Sequence, residues 1–88
     1  MMATTMIATT TTTGTSVRLS AEFHVDTANV YYVVYCSGFA FEFGDFAPAA
    51  RVYKTLSNRI EAGATIDILL KNLVTAARTM GYSVKEVA

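Results

Sequence analysis

Residues Val17 to Asp26, VRLSAEFHVD, alternate apolar and polar without a fault. Val17, Leu19, Ala21, Phe23 and Val25 fall on one side, and Arg18, Ser20, Glu22, His24 and Asp26 on the other. A period of two is the mark of a strand with one buried face, and no helix accommodates it. Phe39 to Gly44 alternates in the same way, with Phe39, Phe41 and Phe43 against Ala40, Glu42 and Gly44. Between them lies NVYYVVYC, Asn29 to Cys36, apolar on both sides. Three successive strands are predicted.

The turns predict how these strands pair. Ser37-Gly38 suits a two-residue hairpin, because Gly takes positive φ freely. It sets Cys36 opposite Phe39, Val34 opposite Phe41 and Tyr32 opposite Phe43. A turn centred on Thr27-Ala28 sets Val25 opposite Val30, Phe23 opposite Tyr32 and Ala21 opposite Val34. Since a slip of one residue exchanges faces, it matters that both hairpins put the same side of the middle strand on the apolar face. Tyr32, Phe23 and the three Phe of the third strand are expected in the core. Tyr31, Val33 and Tyr35 are expected on the opposite face.

Two helices follow. Phe46, Ala49, Tyr53, Leu56 and Ile60 recur at spacings of three and four, with Asp45 placed to cap and Gly63 placed to stop the helix. Ile66, Leu69, Leu70, Leu73, Val74, Ala77 and Met80 form a wider stripe, with Thr65 as the expected cap and Gly81 as the stop. The fold class is therefore α+β: a two-layer domain, with a three- or four-stranded antiparallel meander and two helices packed on one face. Residues 15–88 are read as one domain. The Thr-rich residues 1–14 are either an extra edge strand, turning back through Gly14-Thr15, or an arm. SVKE, Ser83 to Glu86, reads as a short edge strand or a tail.

Formal charge cancels over the 88 residues, but unevenly. Val17 to Phe46 holds Arg18 against Glu22, Asp26, Glu42 and Asp45; from Ala47 onward six bases face three acids. Such a split suits a protein with two different surfaces or one that pairs with its own copy. The single Cys36 allows no internal disulfide and fits a reducing compartment. With no signal-like start and no apolar run near the ~20 residues of a membrane span, the chain is expected to be cytoplasmic and soluble.

The candidate contact surface is the stripe of Tyr31, Val33 and Tyr35, flanked by Glu22, His24 and Glu42. In the expected register His24, Glu22 and Ser20 lie opposite the three stripe residues. Tyr combines a rigid ring with a polar tip and is favoured at protein interfaces. Base stacking is the weaker use of such a face, because platforms for nucleic acid sit among Lys and Arg rather than Glu. The rival surface is helical: Arg51, Lys54, Arg59, Lys71 and Arg78 would bind nucleic acid, around a turn that superficially resembles a helix-turn-helix. Glu22 and Glu42 share a face, but a flat sheet supplies no pocket to shift a carboxyl pKa or hold a substrate. One His and one Cys do not make a zinc site, the five Gly form no phosphate loop, and no cofactor is expected. Cys36 is read as a small core residue.

In size and composition the chain is similar in general character to phage- or plasmid-encoded inhibitors of host machinery, including anti-CRISPR proteins. That resemblance implies a non-enzymatic module that binds a protein target or its own copy as a homodimer. A nucleic-acid-binding regulator is the alternative.

Overall fold

The structure is a computed structural model that describes residues 2–12 and 14–87. Five strands and two helices follow one another as β1 (Met2–Thr12), β2 (Thr15–His24), β3 (Asn29–Cys36), β4 (Phe39–Phe43), α1 (Phe46–Glu61), α2 (Asp67–Thr79) and β5 (Ser83–Glu86). The strands form one open antiparallel sheet in the order β1-β2-β3-β4-β5. This α+β sheet is one strand larger than the upper count expected. Both uncertain segments joined it: the Thr-rich residues pair with β2, and SVKE pairs with β4.

The β3–β4 hairpin has the register its turn demanded, with Cys36 opposite Phe39 and Tyr32 opposite Phe43. Ser37 and Gly38 both have positive φ, 46° and 84°, which matches the right-handed twist of the flanking strands. The β2–β3 hairpin corrects the expectation. Phe23 pairs with Val30 and Leu19 with Val34, two residues away from the expected alignment. The physical reason is the turn. Thr27-Ala28 offers no Gly or Asn for a two-residue loop, so four residues from Val25 to Ala28 make the reversal, with Ala28 at φ 55° and its N–H on the Val25 carbonyl at 3.3 Å. An even shift leaves every side chain on its expected face but changes its partner.

The helix termini differ in part from their expected caps. Asp45 occupies the position before α1 with extended backbone but makes no side-chain cap bond. The residue before α2 is Ile66, not Thr65, and the Leu70 N–H bonds its carbonyl at 2.7 Å. At the C-termini Gly63 and Gly81 take φ 75° and 90°. The Tyr82 N–H reaches back to the Ala77 carbonyl at 2.9 Å, closing the last turn.

One cluster of buried side chains holds the molecule together. Val17, Leu19, Val34, Cys36, Phe41, Phe43 and Val84 from the sheet meet Ala49, Leu56 and Ile60 of α1 and Leu70, Val74 and Ala77 of α2. α1 lies against β1 to β4, whereas α2 reaches β5 and α1. Thr10 of β1 joins this side through its hydroxyl, 2.7 Å from the Tyr53 hydroxyl and 2.6 Å from that of Ser57. Five residues expected on the helix side are not covered: Phe23 is 40% exposed, Val25 50%, Val30 43%, Phe46 47% and Met80 72%. Phe23 pairs with Val30, beyond the last β3–β4 pair of Tyr32 with Phe43, and Phe46 meets the Tyr32 ring edge-on with centroids 5.5 Å apart.

Candidate functional site

The other face of the sheet carries no member of the helix-packed cluster, yet part of it is buried. Val33 is 1% exposed, Ser20 1% and Glu22 5%. The side chains that neighbour them explain this. The two-residue offset in β2–β3 puts Glu22 opposite Tyr31, Ser20 opposite Val33 and Arg18 opposite Tyr35. It replaces the expected pairs of His24 with Tyr31, Glu22 with Val33 and Ser20 with Tyr35.

Tyr35 therefore sits beside a cation. The Arg18 guanidinium carbon lies 4.5 Å from the centre of the Tyr35 ring, an attractive cation–π arrangement. The Tyr35 hydroxyl donates to Oε2 of Glu22. Since Glu22 is the register partner of Tyr31, this bond runs along β3 and carries the phenol past the level of Val33 and Ser20. Glu22 Oε1 is 3.9 Å from His24 Nε2, and the His24 ring meets the edge of Tyr31 with centroids 4.8 Å apart. Arg18, Tyr35, Glu22, His24 and Tyr31 thus form one chain of contacts, beneath which Val33 is closed off. On the β4 side, Lys85 Nζ stands 3.3 Å from Glu42 Oε1.

Burial, reinforced by the bond to Glu22 and the negative charge there, pushes the Tyr35 phenol up to about 12; Arg18 opposes the shift. At neutral pH Tyr35 is a proton donor held in place, with no capacity to act as a base. Burial likewise pushes the Cys36 thiol up, against a lowering contact from Ser37. Among the described residues, His24 Nε2 and Ser20 Oγ are buried without a hydrogen-bond partner, and no three His, Cys, Asp or Glu side chains converge to hold a metal.

The structure thus brings together Tyr31, Tyr35, Glu22 and His24, and makes Val33 the floor beneath them rather than a contact in its own right. Glu42 lies one step away with Lys85. Arg51, Lys54 and Arg59 are exposed on α1, and Lys71 and Arg78 on α2. Arg78 is engaged, its Nη2 donating to the Val84 carbonyl at 3.0 Å. Arg51 instead borders a hollow of about 290 Å³ between the helices, over Phe43.

Two features were missed from sequence. Arg18 is the lone base among the acids of the front half, and only the four-residue turn brings it to Tyr35. The second is an exposed apolar group at the end of the β2–β3 hairpin: Phe23, Val25 and Val30, with Phe46 beside them, each 40–50% exposed. The strict alternation of β2 gives no sign that the hairpin end extends beyond the last β3–β4 pair and stays exposed.

Among the described residues no helix is long and apolar enough to cross a membrane. In comparisons with known proteins, no family, curated protein or solved structure matches this chain.

Proposed function

We propose that the chain is a non-enzymatic protein-binding module whose contact surface is the helix-free sheet face, continued onto the end of the β2–β3 hairpin. The observation that carries this reading is the interlocked row of Arg18, Tyr35, Glu22, His24 and Tyr31. Side chains fixed before binding lose little freedom when a partner arrives, and rigid aromatic groups are the usual anchors of an interface. Tyr31, Tyr35, His24 and Glu42 would touch the partner, with Glu22 and Val33 supporting them from below. Exposed Phe23, Val25 and Val30 add apolar surface on the same hairpin.

Asp26 and Asp45 make the hairpin end acidic, which suits a target with a basic surface. A nucleic-acid channel in a host enzyme is such a target, in keeping with an inhibitor of the phage or plasmid kind.

The test compares partner capture by immobilised wild-type chain, by Tyr31→Ala and by Arg51→Glu/Lys54→Glu, with thermal unfolding of each variant as a control. Capture lost with Tyr31→Ala and kept with the charge reversal supports the module. The reverse result, together with salt-dependent binding of a random-sequence DNA duplex, would replace it with the nucleic-acid regulator.

A further inference from the structure

The two edges of the sheet are built differently. β5 has four residues and ends in Lys85 and Glu86, and the following Val87 N–H bonds the Gly38 carbonyl at 2.7 Å. Short length and charge are the ordinary means by which an edge resists the addition of another strand. β1 has neither. It runs for eleven residues, MATTMIATTTT, without a charged residue or a proline. As the terminal strand it has β2 as its one neighbour in the sheet, which leaves a row of N–H and C=O groups directed outward. Its single irregularity is the shift of register between Met6 and Ala8, where Ile7 is 44% exposed.

We propose that β1 is a self-association edge, on which a second copy of the chain adds its own β1 in antiparallel alignment and joins two five-stranded sheets into one. Several observations favour a second copy over a foreign strand. An added foreign strand is chosen by pockets that read alternate side chains, and the uniform run Thr9 to Thr11 supplies no such code. The same run is complementary to itself. Aligned about Thr10, each Thr9 faces Thr11 of the second copy, and cross-strand Thr pairs are favourable. The two copies carry no net charge and so do not repel one another.

The geometry is also closed. Two-fold pairing about Thr10 keeps each residue on its face, so Thr10, which bonds Tyr53 and Ser57 of α1, meets its own copy on the helix side. Both α1 helices then lie on one side of the joined sheet, and the interface, Ala8 to Thr12 of each copy, is isologous. The Tyr31 face is untouched by this pairing, so the edge holds whether or not that face binds a partner.

Sedimentation equilibrium of the full chain from micromolar to millimolar concentration, with amide exchange measured at both ends of the range, tests the edge. Expected are a reversible monomer–dimer equilibrium and outward-facing β1 amides protected only in the concentrated sample. Thr9→Lys/Thr11→Lys places Lys opposite Lys across the new ladder and should raise the midpoint by roughly tenfold or more, like charges in that position being unfavourable. Tyr31→Ala should leave it unchanged. A chain that stays monomeric throughout, or β1 exchange independent of concentration, overturns the proposal. A dimer that survives the Lys pair and is lost with Tyr31→Ala also overturns it, since that dimer forms through the sheet face. The exchange readout uses the wild-type chain, so it decides the matter even if the double variant fails to fold.

Discussion

The two faces of β3 are made of similar residues and are held in different ways. On the helix side, Val34 and Cys36 are sealed by α1 in a cluster of apolar side chains that α2 also joins. On the other side Val33 is sealed as completely, beneath a polar row in which the Tyr35 ring of β3 itself meets a guanidinium and a carboxylate from β2. The first arrangement derives its stability from area removed from water, at ~25 cal/mol per Å². The second depends on hydrogen bonds and charge, whose net contribution is about 1 kcal/mol each and which are costly to break on one side only. Apolar burial therefore holds the fold, and the polar row fixes the orientation of a surface.

That contrast can be broken at several points. The largest effect is expected from Phe41→Ala, which opens a cavity in the helix-side cluster where Phe41 is fully buried. Urea unfolding should show a loss of about 3–5 kcal/mol, and a loss under ~1 kcal/mol would mean the helices do not seal this face. Tyr35→Phe should come next. It keeps the ring over Val33 but leaves the buried Glu22 carboxylate without its donor, a cost of about 1.5–3 kcal/mol by the same measurement. Arg18→Gln removes the cation from the Tyr35 ring and should cost only ~0.5–1 kcal/mol. Smaller again is Lys85→Ala: its bond to Glu42 is largely exposed, and a change in stability beyond ~1 kcal/mol would show it to be part of the row.

The pH dependence sharpens the comparison further. Tyr35 is neutral to about 12 in the folded chain and ionises near ~10 when unfolded. Its contribution is therefore complete below pH ~10 and is lost as the pH rises through about 12. Alkaline titration followed by tyrosinate absorbance should show a component for Tyr35 at about 12 in the wild type, and that component should move down in Glu22→Gln.

Much of the sheet was legible in the sequence because period two is unambiguous where one face is buried. The faces of Val17 to Cys36 and the whole β3–β4 register followed from alternation and from Ser37-Gly38. The β2–β3 register did not, because face assignment is blind to a shift of two residues, and nothing in Thr27-Ala28 declares a four-residue loop. The candidate site suffered from the same blindness. Tyr31, Tyr35, Glu22 and His24 were placed on one face correctly, but Arg18 entered only with the true pairing. Phe23 and Phe46 were assigned to the core because their periodicity is that of buried positions, and periodicity does not say which part of a face is covered.

The most direct test of the polar row is a double-mutant cycle on Tyr35→Phe and Glu22→Leu, read by urea unfolding. If the phenol lies along β3 and donates to Glu22, the pair should couple by about 1 kcal/mol or more. Two effects that add to within ~0.3 kcal/mol would mean the groups do not meet, and Val33 would need another cover.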